Sequence, residues 1–182
     1  DGILASTVVN GLIDRNYMTD FYPISAPNNQ GDHPDCIQFM QGGSSTDIII
    51  TNNACMLGRG RSAQGIFIAD QQNQPNIRFR IENNVVANTM VQGIMVSNGS
   101  NIVVRNNTVV YPTDFSGGQK PIIHFPHSSG VSLSGNISSN VSGGIISPAQ
   151  AGINPELLKL TRFRTLLPSD LVVPGVGYQI PK

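Results

Sequence analysis

A repeat with a period of roughly 28 residues constrains this chain more than any other feature. Short apolar strands recur as "DGILA" at 1–5, "DCIQF" at 35–39, "QGIFIAD" at 64–70, "QGIMVSN" at 92–98 and "KPIIHF" at 120–125. The isoleucines at 37, 66, 94 and 123 mark the period. Such a period holds two or three short strands with their turns and leaves no room for a crossover helix. The spacing therefore predicts a parallel β-solenoid in which each repeat forms one coil.

A second phrase alternates with the first and carries asparagine near its end. It reads "VVNGLIDRN" at 8–16, "TDIIITNNACM" at 46–56, "IRFRIENNVVA" at 77–87, "NIVVRNNTVV" at 101–110 and "GVSLSGNISS" at 130–139. Alternation predicts an inward row that includes Ile48, Ile50 and Cys55 in one coil and Ile102, Val104 and Val109 in another. Within the first phrase it places Ile94 inward and Met95 outward.

The asparagines fall at one place in every coil, where the chain turns between strands. Asn tolerates the left-handed backbone that a sharp turn requires, and its amide can bond to the Asn above and below. We predict a ladder of Asn16, Asn53, Asn84, Asn107 and Asn136. Binding of sugar or metal by these amides is the alternative, but a binding site does not explain the repetition.

Composition excludes several classes of function. With 11 basic and 11 acidic residues among 182, the formal charge is zero, so the chain has no electrostatic footprint for nucleic acid or an anionic membrane. No apolar run approaches the roughly 20 residues that a membrane span needs. The two cysteines, Cys36 and Cys55, form no C-x-x-C motif, and we predict two plain thiols, which leaves the compartment open.

The two ends of the chain differ from the repeat. "INPELLKLTRFRTLLP" at 153–168 places Asn154 as an N-cap and Pro155 at the first helical position, with leucines along one face, which predicts a short amphipathic helix. We expect residues 1–152 to form the solenoid and 153–182 to cap its open end, with a subunit contact or the remnant of a further domain as alternatives. Because "DGILA" already reads as a strand within a coil, we expect a chain that is processed or truncated at its start.

These repeats resemble a known group of proteins. The pairing of "GIFIAD" strands with "NIVVRNNTV" strands resembles the right-handed parallel β-helix of the pectate-lyase-like superfamily, and "HPDCIQF" followed by "AQGIFIAD" is similar to a pattern in its bacterial and phage members. The resemblance covers roughly residues 1–150. It implies an all-β, right-handed parallel β-helix of about five to six coils with a short C-terminal helical cap. It also implies a polysaccharide partner and a secreted protein, or one on a cell or virion surface.

The superfamily does not fix the reaction, because it includes lyases, hydrolases, epimerases, tailspikes and members without catalysis. This chain lacks the Asp-Pro-His run of alginate epimerases. It also lacks the Asn-Thr-Asp, Asp-Asp, Gly-His-Gly and Arg-Ile-Lys set of polygalacturonases. Whether the protein is an enzyme is therefore left open by its sequence.

"QGDHPDCIQF" at 30–39 is the densest cluster of chemically capable groups. A hydrolase needs two carboxylates about 5–10 Å apart, and a lyase needs a base together with a group that neutralises a uronate. We predict the catalytic residues Asp32, His33, Asp35 and Asp70. We predict the substrate-binding residues Gln38, Arg59, Arg61, Lys120 and His124.

Ordinary structural roles are the alternative for these residues. Asp35 can cap a turn by accepting backbone N–H bonds, Arg59 and Arg61 can be solvated turn residues, and His124 can be a partly buried, hydrogen-bonded histidine. No cofactor or metal is predicted, although Asp32, Asp35 and Asp70 leave a calcium site open.

The sequence thus leads to a protein that acts on or binds an acidic polysaccharide, as a lyase or a hydrolase. The alternatives are a non-catalytic, tailspike-like carbohydrate-binding protein and a purely structural solenoid. Homo-oligomerisation is left open.

Overall fold

The computed structural model describes residues 1–24, 32–40, 43–69, 74–112, 119–140, 143–153, 158 and 166–181. Within them the chain forms a stack of coils whose strands make three parallel sheets. Sheet A holds β1 (Ile3–Ala5), β4 (Asp35–Phe39), β7 (Gln64–Ile68), β10 (Gln92–Val96) and β13 (Ile122–His124). Sheet B holds β2 (Leu12–Asp14), β5 (Thr46–Thr51), β8 (Asn76–Glu82), β11 (Gly99–Arg105) and β14 (Ser129–Ser134). Sheet C holds β3 (Tyr17–Met18), β6 (Ala54–Met56), β9 (Val85–Ala87), β12 (Thr108–Val110), β15 (Asn136–Ile137) and β16 (Ile145–Ile146).

Each coil contributes one strand to each sheet, in the order A, B, C. Within the described residues five coils have a strand in all three sheets, and β16 adds one more strand to sheet C alone. The register joins Ile3, Ile37, Ile66, Ile94 and Ile123 across sheet A, as the repeat predicts. The prediction of an all-β parallel β-helix of five to six coils is therefore confirmed.

The interior is a continuous apolar column between the three sheets. Ile37, Ile66 and Ile94 of sheet A are fully buried, and the predicted inward residues of sheets B and C join the same cluster. Phe39 and Phe79 meet edge to face, with their ring centroids 5.3 Å apart. The predicted alternation of inward and outward residues is therefore correct for the core, and burial of these side chains supplies the main stabilising term.

The asparagine ladder is confirmed at the turn from sheet B to sheet C. Each ladder amide donates to the side-chain oxygen of the next, from Asn16 through Asn53, Asn84 and Asn107 to Asn136, over distances of 2.9 to 3.0 Å. The prediction is wrong in one detail, because the left-handed backbone belongs to the preceding residue. Arg15, Asn52, Asn83, Asn106 and Gly135 carry φ values of +51° to +60° there. The left-handed residue makes the turn, which leaves the ladder asparagine free to point inward.

The prediction of two plain thiols is wrong, because Cys36 and Cys55 form a disulfide that crosses the core of the second coil. Their Cα atoms lie 5.9 Å apart, and both residues are buried. That separation is within the range that a disulfide spans. In the third coil Gly65 and Val86 hold the same two positions, and a Cβ on Gly65 would lie 2.6 Å from Cγ1 of Val86. This corner of the third coil therefore has room for a glycine opposite a larger side chain. In the second coil two cysteines fill the same space, and their side chains form the disulfide.

The C-terminal residues cover the outer face of sheet C. Ile153, Leu158, Leu166, Leu171 and Tyr178 pack against the outward side chains of that sheet, which include Met56, Ala87 and Val110. A short 3-10 helix at Pro168–Leu171 lies in this cover. Most of the helix predicted between residues 154 and 167 lies outside the described residues.

Candidate functional site

In the part of the chain that the structure describes, buried polar atoms without a hydrogen-bond partner are confined to one side of the rod. Within the described residues there are five: Thr19 Oγ1, Asp35 Oδ1, Gln64 Oε1, Asn88 Oδ1 and His124 Nε2. All five lie on sheet A or on the turns that lead into it from sheet C. We call these turns the entry turns; their described residues are 19–24 with 32–34, 57–63, 88–91, and 111–112 with 119–121. Native proteins rarely leave such atoms unpaired, so this side of the rod requires an explanation that sheets B and C do not.

Asp35 stands at the first position of β4 and is 1% exposed. Its Oδ2 accepts a hydrogen bond of 2.9 Å from Nε2 of Gln38, while its Oδ1 has no partner. Burial raises the pKa of this carboxyl to about 7, the N-terminal ammonium lowers it, and the nearby charge of Asp32 raises it. Among the described residues the Asp35 carboxylate accepts no backbone hydrogen bond, so the alternative of a turn cap is not supported.

Gln64 occupies the register position of Asp35 in the next coil and is also buried. Sequence reasoning missed it, although "AQGIF" and "VQGIM" place a glutamine two residues before the inward isoleucine in two successive coils. Asn88, on the entry turn of the third coil, is 2% exposed and donates from Nδ2 to the backbone oxygen of Gln92 at 3.2 Å. Carboxyl and amide oxygens thus accompany the starts of three adjacent strands.

Met95, predicted to point outward, lies in an outward column of sheet A that runs through Gln38, Phe67, Met95 and His124. Gln38 and Met95 are nevertheless buried, whereas Leu4, the first residue of the column, is 62% exposed. The face is therefore sheltered between the second and fourth coils.

His124 closes the column at the fifth coil. Its ring is half-buried, and burial lowers the pKa of its imidazole. A buried Nε2 without a partner favours the neutral ring. His124 lies three coils from Gln38, about 14 Å at the usual spacing between strands, so the two residues can contact different units of one extended ligand but not the same atom.

The other predicted residues lie along the entry turns. Asp32 and His33 are exposed just before β4, and the backbone N–H of Asp32 donates to the carbonyl of Ile24 at 3.2 Å. Lys120 is exposed just before β13. These side chains form an outer rim to the buried atoms of sheet A.

Arg59 and Arg61 belong to the entry turn between the second and third coils, and both are exposed. The backbone N–H of Arg59 donates to Oδ1 of Asp20 at 2.6 Å, and that of Arg61 donates to the carbonyl of Phe21 at 2.9 Å. The backbone of each arginine therefore holds the turn, and both side chains reach solvent at the rim.

Asp70, the remaining predicted catalytic residue, lies outside the described residues. In the part of the chain that the structure describes, no three side chains of His, Cys, Asp or Glu are grouped closely enough to hold a metal ion. No helix of that part is long and apolar enough to cross a membrane.

The arrangement can donate and accept hydrogen bonds along several coils and can transfer one proton near neutral pH. A carboxyl with a pKa of about 7 carries its proton in about half of the molecules at pH 7 and can give it to a bound oxygen. The buried amides can form hydrogen bonds to a ligand, and the exposed arginines and lysine supply positive charge at the rim.

Searches of family models, of curated proteins and of solved structures found no match to this chain. The fold and the geometry of the candidate site are therefore the basis on which a function can be proposed.

Proposed function

We propose that the outer face of sheet A and the entry turns bind an acidic polysaccharide along the rod, and that the protein is a member of the pectate-lyase-like superfamily. The observation that carries the proposal is the confinement of all five unpartnered buried polar atoms of the described residues to this side. Sugar hydroxyls both donate and accept hydrogen bonds, so one oligosaccharide can satisfy carboxyl, amide and imidazole atoms on successive coils. Because each coil adds about 4.8 Å, the row suits an extended polymer better than a compact ligand.

The reaction that this site supports best is cleavage with Asp35 as the proton donor. A carboxylic acid that stays protonated near neutral pH can protonate a glycosidic oxygen as the leaving group departs. Asp32 lies close enough for its charge to raise the pKa of Asp35, and it is exposed, so it is the candidate for the second carboxylate. Arg59, Arg61 and Lys120 supply the positive charge that the carboxylates of an acidic polymer require.

Binding without turnover is a second candidate function, and the unpartnered amide oxygens of Gln64 and Asn88 favour it, because they can bind a sugar but cannot transfer a proton. In either function the Asp35 carboxyl, at 1% exposure, reaches a ligand only if the ligand displaces the side chains around it. In a binding protein Asp35 would be a protonated hydrogen-bond donor, and Gln64 and His124 would contact further sugar units. A tailspike-like or adhesive protein would use the face in this way.

The disulfide supports a secreted or surface location. Disulfides persist in oxidising compartments and are rare in the cytosol. The Cys36–Cys55 bond is buried in the core, where reductants have little access. An extracellular location also gives access to polysaccharides.

The test is a panel of acidic and neutral polysaccharides incubated with the protein, with isothermal titration calorimetry for binding. Release of reducing ends measures hydrolysis, and ultraviolet absorbance of unsaturated uronate measures lyase action. The variant Asp35→Asn removes the proton and keeps the shape of the side chain. The matched control Asp14→Asn removes a carboxylate of sheet B, which faces away from the site.

Cleavage by the wild type and by Asp14→Asn, lost in a fully folded Asp35→Asn protein, is the expected result for an enzyme. Binding without cleavage, kept in Asp35→Asn and weakened in Asp35→Leu, would establish the second function, because the amide of Asn also donates a hydrogen bond and leucine does not. Cleavage unchanged by Asp35→Asn together with affinity unchanged by Asp35→Leu, or no binding to any polymer, would overturn both proposals for sheet A.

A further inference from the structure

A groove runs along the outer face of sheet B, on a different face of the rod from the site on sheet A. Its volume is about 570 Å³, which is within the size range of ligand sites. It crosses the first four coils, from Asn10 and Leu12 in the first to Asn101 and Val103 in the fourth. The strands lie across the groove, so three coil spacings give it a length of about 14 Å.

The two walls of the groove differ in chemistry. One wall is the outward column of sheet B, in which Leu12, Ile49 and Val103 are apolar and Arg80 interrupts them. Leu12 is 65% exposed. The other wall is the polar row Asn10, Asp47, Arg78 and Asn101, which all have φ between +56° and +58°. Because one backbone conformation repeats in four coils, this wall presents polar side chains at regular steps.

The charges of the groove sum to one positive charge, whereas the whole chain is neutral. Asp47 and Arg78 neutralise each other through two hydrogen bonds of 2.6 Å. Arg80 pairs with both oxygens of Glu82, through Nε at 3.0 Å and Nη2 at 3.2 Å, and Glu82 also pairs with Arg105 outside the groove. The pair with Glu82 leaves Nη1 of Arg80 for another anion.

We infer that this groove is a second binding site, and that its ligand is a short acidic oligosaccharide. A pyranose ring has an apolar face of C–H groups and a polar edge of hydroxyls, which match the apolar and polar walls. A carboxylate on the sugar can bind Nη1 of Arg80 beside the pair with Glu82, since a guanidinium has five N–H donors and can pair with more than one carboxylate. The inference does not depend on the proposed function of sheet A, because the two sites share no residue.

The test compares two arginines that share one partner. Arg80 and Arg105 both pair with Glu82, and their side chains are 49% and 48% exposed, yet only Arg80 lines the groove. Arg80→Gln and Arg105→Gln should therefore have the same denaturation midpoint. The probes are a uronic acid trisaccharide and its neutral methyl ester, titrated by calorimetry at low salt and by amide chemical shifts.

Arg80→Gln should weaken binding of the trisaccharide roughly tenfold, the typical effect of losing a hydrogen bond between charged groups, and Arg105→Gln should change it less than about twofold. The ester should bind the wild type and Arg80→Gln with similar, weaker affinity. Amide shifts should appear at Asn10, Asp47 and Asn101 in the wild type. The same shifts should persist in Asp35→Asn, which separates this site from sheet A.

Equal weakening by both arginine variants would show a diffuse effect of charge and overturn the inference. Amide shifts confined to sheet A, or no shift at millimolar trisaccharide, would also overturn it. Sedimentation that reports a dimer lost in Arg80→Gln would overturn it in favour of a second copy of the chain as the occupant.

Discussion

Replacing Asn84 by Ala tests how much the asparagine ladder stabilises the rod. Asn84 is fully buried in the third coil. Its Oδ1 accepts from the backbone N–H and the side-chain amide of Asn53, each at 3.0 Å. Its Nδ2 donates to Oδ1 of Asn107 and to the carbonyls of Ile50 and Glu82, at 2.9 to 3.0 Å. Alanine removes all five bonds and leaves their partners without access to water.

The expected cost follows from these partners. The N–H of Asn53 donates to Asn84 alone among the observed bonds. An unsatisfied buried donor costs about 1–3 kcal/mol. Loss of the other four bonds adds at least about 0.5 kcal/mol each, a low value because carbonyls keep a second lone pair. We therefore expect Asn84→Ala to lower the free energy of unfolding by at least about 3 kcal/mol, within the range of severe core substitutions.

The control is Asn16→Ala at the first rung. Asn16 is partly exposed and donates to Asn53 and to the carbonyl of Asp14. Water can replace both bonds, so the cost should be about 1 kcal/mol. Equilibrium unfolding in urea, with an unchanged m-value, measures both variants. If the two substitutions cost the same within about 1 kcal/mol, which is less than the expected gap between them, other contacts hold the turn and the ladder adds little.

Three further predictions concern the core and the site. Ile94→Ala should cost about 2–5 kcal/mol because it opens a cavity. Met95→Ala, on a sheltered outward face at 8% exposure, should cost less, and equal costs in chemical denaturation would mean that this face is packed as tightly as the core. The Cys36–Cys55 disulfide joins cysteines at a sequence separation of 19. Its reduction should lower stability by about 3 kcal/mol, whereas a doubly substituted Cys36→Gly, Cys55→Val protein should not respond to reductant. Because burial raises the pKa of Asp35 from 3.8 to about 7, the folded protein keeps a proton that the unfolded chain releases. The free energy of unfolding should therefore fall as the pH rises between 3.8 and about 7, and Asp35→Asn should lose that dependence in urea titrations. The slope is at most about 1.4 kcal/mol per pH unit for one proton. A wild type whose stability does not fall in this range would contradict the buried, protonated carboxyl.

The coil, its register and the ladder could be predicted from sequence because each repeats. A parallel stack places equivalent residues above one another, so the same physical demand recurs in every coil and leaves a periodic pattern in the chain. Ile37, Ile66 and Ile94 carry that pattern for the core, and Asn53 and Asn84 carry it for the ladder.

Features that occur once could not be predicted in the same way. Cys36 and Cys55 pair because both lie at one corner of the second coil, where the third coil has a glycine opposite a valine. The two cysteines are seen to be neighbours only when the coils are stacked. The position of Asp35 at the start of a strand is compatible with a turn cap. In the structure its buried carboxyl instead accepts a hydrogen bond from the side chain of Gln38. The role of Gln64 needed the knowledge that its oxygen is buried and unpaired, which depends on the surrounding side chains.

The central claim is that the unpartnered buried atoms of sheet A are complemented by a polysaccharide. Gln64→Leu tests it most directly, because leucine fills a similar volume without the buried oxygen that lacks a partner. Replacement of an unsatisfied buried polar group by an apolar one of similar shape is neutral or stabilising for the fold. The measurement is the affinity of Gln64→Leu for the polysaccharide that the wild type binds, together with its free energy of unfolding. We predict unchanged or higher stability with at least roughly fivefold weaker binding, the loss expected for one hydrogen bond to the ligand. Unchanged affinity in a protein of unchanged stability would contradict the assignment of sheet A as the binding face.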